Sequence, residues 1–320
     1  LIGLRKNEQD AIIHVVKDLL GKMKRREIFK ATVAAALGVS NAAEAQQTTG
    51  WAAIVDGLAV YQSETDLSGG GAFSVDRQFL RAGALYRSPE GASFGVLASF
   101  GRFSYDFNSI GSALWGDVRD IRLSAPIRFG VGEHAKVLIS PSVRWDYEND
   151  ASASDGVTYG VFAGVSWEVS DTLEIGPAFG AFSQLGSNDL DLFPALLVSW
   201  DMAPRWNLST GTGLGASQGP GVTLSYQATD RTRISFIARS EKSRFRLDNA
   251  GLAPGGVGED TSVPVVLSLV YTPNPGASVS AFAGAELDGR LNLENTAGTL
   301  VSSQSYDVAP ILGLSFRFMF

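Results

Sequence analysis

Period-two alternation recurs from Trp51 to the end of this chain, and few folds can hold so many apolar faces of that kind. Phe94, Val96, Ala98 and Phe100 fall on one side of an extended segment, with Ser93, Gly95 and Ser99 on the other. Ile139, Val143, Trp145 and Tyr147 likewise oppose Ser140, Ser142, Arg144 and Asp146. Tyr159, Val161, Ala163, Val165, Trp167 and Val169 face away from Gly160, Gly164, Ser166 and Glu168, and Leu190, Leu192, Leu196, Val198 and Trp200 form another such face. Side chains on a strand alternate between its two surfaces, so each segment offers one apolar and one polar or small face. A soluble sheet has no need of long apolar faces on nearly every strand.

The spacing predicts about fourteen strands, near residues 51–62, 74–87, 92–105, 117–130, 135–148, 156–169, 173–184, 190–201, 205–216, 220–228, 232–246, 262–272, 277–288 and 306–320. Twelve is the alternative if 51–62 and the segment holding Gly211, Gly213 and Gly215 are not strands. Connections alternate in kind. Short turns fall at 88–91, 131–133, 170–171, 202–204, 229–231 and 273–276, and mostly longer polar links at 63–73, 106–116, 149–155, 186–189, 247–261 and 289–305. Transmembrane β-barrels have this asymmetry, with short periplasmic turns and longer extracellular loops. An even strand number returns both termini to the short-turn side. The expectation is therefore an all-β, closed antiparallel transmembrane barrel. Closure leaves no unpaired edge, which lipid requires because each unsatisfied backbone group costs several kcal/mol.

Met23-Lys24-Arg25-Arg26, the apolar run 31–39 and Ala43-Glu44-Ala45 have the layout of a secretory signal peptide with cleavage after Ala45. The run is too short to span a bilayer as a helix, which takes about 20 residues. Residues 1–22 are expected to be upstream sequence from a mis-assigned start, 23–45 the signal peptide and 46–320 the barrel. The net charge is −7, and residues 1–45 hold eight of the 26 basic and five of the 33 acidic side chains. The remainder therefore carries 18 against 28, a net −10. Such a surface argues against nucleic acid as a partner. With no cysteine, disulfides, thiolate metal sites and cysteine nucleophiles are excluded.

On the polar parity lie Arg81, Arg122, Arg128, Arg144, Arg233, Arg239 and Arg317, with Asp120, Asp146, Glu168, Glu174, Asp191 and Glu286. Facing charges of opposite sign can brace a wall, and they can also set a transverse field that filters solutes. These are the candidate lumen-lining residues, with Arg144 and Arg239 the arginines expected to set anion preference. Tyr86, Trp115, Trp145, Tyr147, Trp167, Trp200, Trp206, Tyr226 and Tyr271 are candidates for interfacial girdles. The glycine-proline stretch within 244–260 is expected to fold inward as a constriction or lid, and no cofactor or metal set stands out.

Two resemblances extend this reading. The final ILGLSFRFMF, ending in Phe320, resembles the C-terminal strand of bacterial outer-membrane barrels, which implies outer-membrane lipid as surroundings and the barrel assembly machinery as a partner through that aromatic. VFAGVSWEVSDTLEIG at 161–176, FSQL at 182–185, FPALLVSW at 193–200, FRLDNAGLAPGGVGED at 245–260 and YDVAPILGLSF at 306–316 resemble an uncharacterised family of proteobacterial outer-membrane β-barrel proteins, a domain of unknown function. That resemblance covers about 62–320 and implies a Gram-negative outer-membrane location, without carrying a substrate or catalytic residue. A porin-like channel for small hydrophilic solutes is the expected function. A non-conducting structural or adhesin-like barrel is the rival. A lipid-modifying hydrolase is disfavoured, because the chain after residue 45 has one histidine, His134, placed in a turn.

Overall fold

The computed structural model describes residues 49–108, 113–187, 189–211 and 220–320. The leader expectations, and Gly213 and Gly215, lie outside those residues. The described strands are β1 (Gly50–Asp66), β2 (Ala72–Arg87), β3 (Ser93–Asn108), β4 (Val118–Ser124), β5 (Ile127–Val131), β6 (Ala135–Glu148), β7 (Val157–Ser170), β8 (Leu173–Ser183) and β9 (Leu190–Ala203). They continue as β10 (Trp206–Thr210), β11 (Gly221–Thr229), β12 (Thr232–Arg239), β13 (Glu241–Arg246), β14 (Val257–Asn274), β15 (Ala277–Glu294), β16 (Leu300–Tyr306) and β17 (Ala309–Met319). Three pairs share one neighbour each and form single interrupted strands of the wall. β4 and β5 both pair with β6, β12 and β13 with β14, and β16 and β17 with β15.

The wall therefore has fourteen strands, each antiparallel to its neighbours in the ring. It closes where β1 meets β17 in an unbroken register from Ile54↔Met319 to Gln62↔Ile311. Phe320 exchanges two backbone hydrogen bonds of 3.0 Å with Ala53, extending that seam. Closure satisfies the backbone without water, as a membrane barrel must.

The apolar parity faces outward. Phe94, Val96, Phe100, Tyr159, Leu192, Phe236, Leu267 and Leu269 are all exposed on the barrel exterior. Trp51, Tyr86 and Phe94 cluster at the short-turn end, with ring centroids 5.3 to 5.8 Å apart, and Trp167, Trp200, Trp206, Tyr226 and Tyr271 sit near the same rim. This belt suits an interface where one ring edge is wet and one face apolar. Leu267→Arg, in the middle of β14, is expected to destabilise the barrel by about 2–4 kcal/mol, read from unfolding in lipid vesicles. An unchanged stability would mean that this face does not touch hydrocarbon.

The connections keep their asymmetry, but several links are shorter than the sequence suggests. β14 begins at Val257, β15 runs to Glu294 and β16 starts at Leu300, so most of 289–305 is strand. Parity hid this. At Asp288, φ is +50° and the β14–β15 register shifts, so Leu291 and Leu293 point inward beyond the shift, where simple alternation no longer applies.

Candidate functional site

Interruptions line up across neighbouring strands at one level of the wall. Ser240 separates β12 from β13, and its N–H is directed to the carbonyl of Pro220. Beside it the β14–β15 pairing shifts between Thr261 and Val263, and beyond that residues 307 and 308 separate β16 from β17. Above this line β13 folds across the mouth on the edge of the outer part of β14, which keeps its ladder to β15 from Val257↔Glu294 to Thr261↔Arg290. Arg246 forms a parallel bridge with Tyr147 of β6, although five wall strands separate β13 from β6 on the nearer side. Parallel contact between remote strands of an otherwise antiparallel wall means that one has folded across the lumen.

Polar contacts fasten this flap to the far side. Arg246 Nε donates to the carbonyl of Asp155 at 3.0 Å, Arg244 Nη2 to that of Leu185 at 3.0 Å, and the N–H of Asp248 to Glu148 at 2.9 Å. Lys242 lies 3.5 Å from Asp191 and 3.7 Å from Glu259, and Arg244 pairs with Glu259 and Glu294. The 244–260 segment thus folds inward, anchored by its two arginines.

Beneath the flap the inward face is aromatic. Phe73, Val75, Phe103, Tyr105, Trp115, Phe245, Leu291, Leu293 and Tyr306 form one buried cluster with Leu247 and Ala253 of the flap loop. Phe245 packs edge-on against Trp115 at 5.1 Å and Trp115 against Tyr105 at 5.4 Å. The inward face at this end is therefore apolar rather than polar or small. On β3 the inward parity passes from Ser99 to Phe103 and Tyr105 as the strand leaves the membrane level. Trp115 and Tyr147, expected in a girdle, are buried instead in or beside this plug, because chain at the outer end packs on the flap rather than on lipid.

Two buried ionic groups lie next along the lumen. Arg77 pairs with Glu286, bonds Gln62 at 2.9 Å and reaches Asp260 at 3.5 Å. Tyr105 donates to Asp260 at 2.9 Å, and the Tyr306 hydroxyl bonds Asp260 at 3.2 Å and Glu286 at 3.3 Å. Arg144 bonds Asp120 at 2.6 Å and Asp146 at 3.1 Å, with Arg122 3.9 Å from Asp120. Val60, Val266, Phe282 and Ile311 make an inward apolar layer on the same wall.

Toward the short-turn end the lumen widens into a vestibule of about 1170 Å³. Thr172 and residues 202–205 border it, so its mouth is on the turn side. Arg81, Arg122, Arg233 and Arg317 line it. Arg239 is buried and 3.3 Å from Glu241, and Arg144 is only 13% exposed, so both are held by carboxylates rather than presented to solvent. Glu168 and Glu174 share Lys136 at 2.6 and 2.8 Å near a short turn, with Arg128 on the same parity. Asp146 and Glu286 belong to the ionic layers, and Asp191 holds the flap. His134 sits on an exposed turn 4.0 Å from Glu133 and hydrogen-bonds to no serine among the described residues.

Sequence reasoning missed Asp56, Gln62, Arg77 and Lys136, and it read Asp260 only as the acidic end of the 244–260 loop. Parity alone marks Asp56 and Gln62 as inward once β1 is accepted, and Arg77 shares the face of Arg81. The partner across the barrel is invisible without register and closure. Glycines on the wall take neighbouring rings: a Cβ at Gly180 would strike Phe193, and one at Gly313 would strike Phe282. They hold aromatics against the wall rather than opening a bore.

No family model matches the chain, and no curated protein matches it. Among solved structures it is similar to an outer membrane channel from Pseudomonas putida F1, at 12% identity and a TM-score of 0.49, over 87% of this chain and 97% of that one. It is also similar to the KdgM porin, at 8% identity and 0.36, over 83% and 99%. The translocator domain of the autotransporter NalP from Neisseria meningitidis matches at 15% and 0.38, over 97% and 98%. Channel, porin and translocator do different work, and identities this low speak to architecture alone. On its own closed register and apolar exterior, the chain is a fourteen-stranded antiparallel β-barrel of the outer-membrane type.

Proposed function

We propose that this protein is a porin-like channel of the Gram-negative outer membrane for small hydrophilic solutes, closed at its outer mouth by the β13–β14 flap. The observation that carries the reading is the vestibule: a polar, arginine- and serine-lined space inside an apolar-coated barrel, ending at a plug whose top is a discrete flap. A barrel that only braced a membrane would need no such chamber. The interruptions at Ser240, Thr261–Val263 and 307–308 mark where the flap would hinge, because the regular pairing breaks along that line even though the Ser240 and Asp307 N–H groups still reach Pro220 and Asp66. Planar-bilayer recording on purified protein tests this. Stepwise currents in the wild type, or in a variant with a loosened plug, support passage.

One observation favours a second reading, a non-conducting barrel. The outer half of the lumen is filled by side chains rather than narrowed. Silence of both wild-type and plug-loosened protein would select it.

Residues 23–45 would direct export, with 1–22 upstream and 46–320 forming the mature chain. Barrel assembly machinery would take hold of the last strand through Phe320. Its ring stacks obliquely on Phe318 at 6.4 Å while its backbone closes the seam to Ala53. Phe320→Ala is expected to lower folded protein in the outer membrane severalfold, read as heat-modifiable band intensity, with little change in the stability of what does fold. Normal accumulation would remove Phe320 from recognition.

A further inference from the structure

The register places three of the lumen arginines, Arg122, Arg81 and Arg317, in one row. Arg122 lies opposite Ser99, Ser99 opposite Arg81, Arg81 opposite Asp56, Asp56 opposite Arg317 and Arg317 opposite Ser278. On its other side Arg122 lies opposite Arg144, so two like charges face each other directly across neighbouring strands. Such a pairing is unfavourable and needs compensating charge. Arg144 obtains it from Asp120 and Asp146. The rest of the row does not balance. Asp56 is its one carboxylate, and it accepts hydrogen bonds from both Arg81 and Arg317. Two guanidiniums that share one carboxylate leave one positive charge over. Both remain open to the vestibule, at 40% and 56% exposure. Arg233 lines the same chamber, and its side chain makes no hydrogen bond or ion pair among the described residues.

This positive surface stands inside a chain whose net charge is −7. The arginine row occupies the wall from β4 to β1 and β17. Hydroxyls cover the adjoining wall: Ser278, Ser280 and Ser315 are half-buried and line the same space, with Ser280 and Ser315 hydrogen-bonded at 2.6 Å, while Ser225 and Ser235, 3.0 Å apart, are buried beside them. A ligand that satisfies both surfaces carries an anionic group for the guanidiniums and several hydroxyls for the half-buried serines. Planar guanidinium forks fit a carboxylate, and hydroxyls both donate and accept.

We propose that the vestibule is a binding site for small polyhydroxylated carboxylates, entered from the short-turn side, with Arg81, Arg317 and Arg233 holding the carboxylate. This names a solute class for the channel reading and rests on it for its role. Binding itself needs no open outer mouth, because the chamber opens at the turns.

Titration calorimetry on the full chain in detergent micelles, with gluconate as probe and sorbitol and acetate as controls, tests the assignment. Saturable gluconate binding is expected, with sorbitol undetectable and acetate weaker. Arg233→Gln, which breaks no described ion pair, is expected to weaken gluconate about tenfold, the loss of one charge-assisted contact. Asp56→Asn removes the row's carboxylate and is expected to tighten gluconate severalfold, whereas damage to the wall would weaken it. No saturable gluconate binding, equal binding of sorbitol, or identical affinities in both variants would overturn the proposal. A silent barrel that binds gluconate with these variant effects keeps the site and removes the channel. A conducting barrel without gluconate binding does the reverse.

Discussion

Joining the flap to the far wall through Tyr147→Cys and Arg246→Cys is expected to hold the barrel shut until a reductant is added. The two residues are bridge partners. Paired strands lie about 4.8 Å apart, within the span a disulfide accepts. The chain has no cysteine of its own, so no competing pairing arises. Arg246 also gives up its bond to the Asp155 carbonyl in this variant, so the reduced protein should open more readily than wild type. Oxidation then has to reverse that gain. Conductance is expected to fall about a hundredfold or more on oxidation and to return with reductant, since the flap cannot lift without breaking a covalent bond. Trp115→Ala supplies the opposite arm. It removes the ring wedged between Phe245 and Tyr105, and an aromatic truncation in a packed cluster costs about 3–5 kcal/mol. If even a third of that falls selectively on the closed state, the open population rises about tenfold. Unchanged currents in an oxidised pair, with the bond verified by gel mobility, would mean that solutes do not pass beneath this flap.

Arg77→Ala should cost more stability than any other single change in the lumen, about 3–5 kcal/mol. It strands Glu286 and Asp260, which are 2% and 5% exposed, beside one another with no cation. Tyr105 and Tyr306 would still donate hydroxyl protons, which offsets part of the cost without supplying charge. Neutralising the whole group with Arg77→Met, Asp260→Asn and Glu286→Gln is expected to recover most of the loss, because a buried pair is roughly balanced by its own desolvation. Urea unfolding in vesicles, followed by heat-modifiable mobility, measures both variants. Equal loss in the single and triple variants would show that packing, not charge, governs this layer. The ionic layer touches the plug through Tyr105 and Tyr306, so Arg77→Ala should also raise conductance if closure depends on that support.

Much of the wall was legible from residues alone. β6, from Ala135 to Glu148, matches the extended segment read from the sequence residue for residue, because Ile139, Val143 and Trp145 alternate with Ser140, Ser142 and Arg144 without interruption. The strand number was legible for a different reason. Turn chemistry alternates with longer links, and parity demands an even count. Legibility failed where alternation was broken, as at Asp288, and where apolar residues faced inward. Leu291, Leu293, Phe103 and Phe245 look like any other strand hydrophobe. The polar parity of Arg81, Arg122 and Arg317 was readable, but their alignment in one row was not, since it depends on four inter-strand registers.

The sequence by itself determined that one face of each strand is apolar and that the backbone must close on itself, because both follow from local periodicity and the cost of an unpaired amide in lipid. Tertiary structure alone decided that the outer lumen is plugged and the inner lumen is a charged chamber. Those properties belong to pairs such as Arg77 with Glu286 and Arg246 with Tyr147, which stand 209 and 99 residues apart and meet only after the ring has closed.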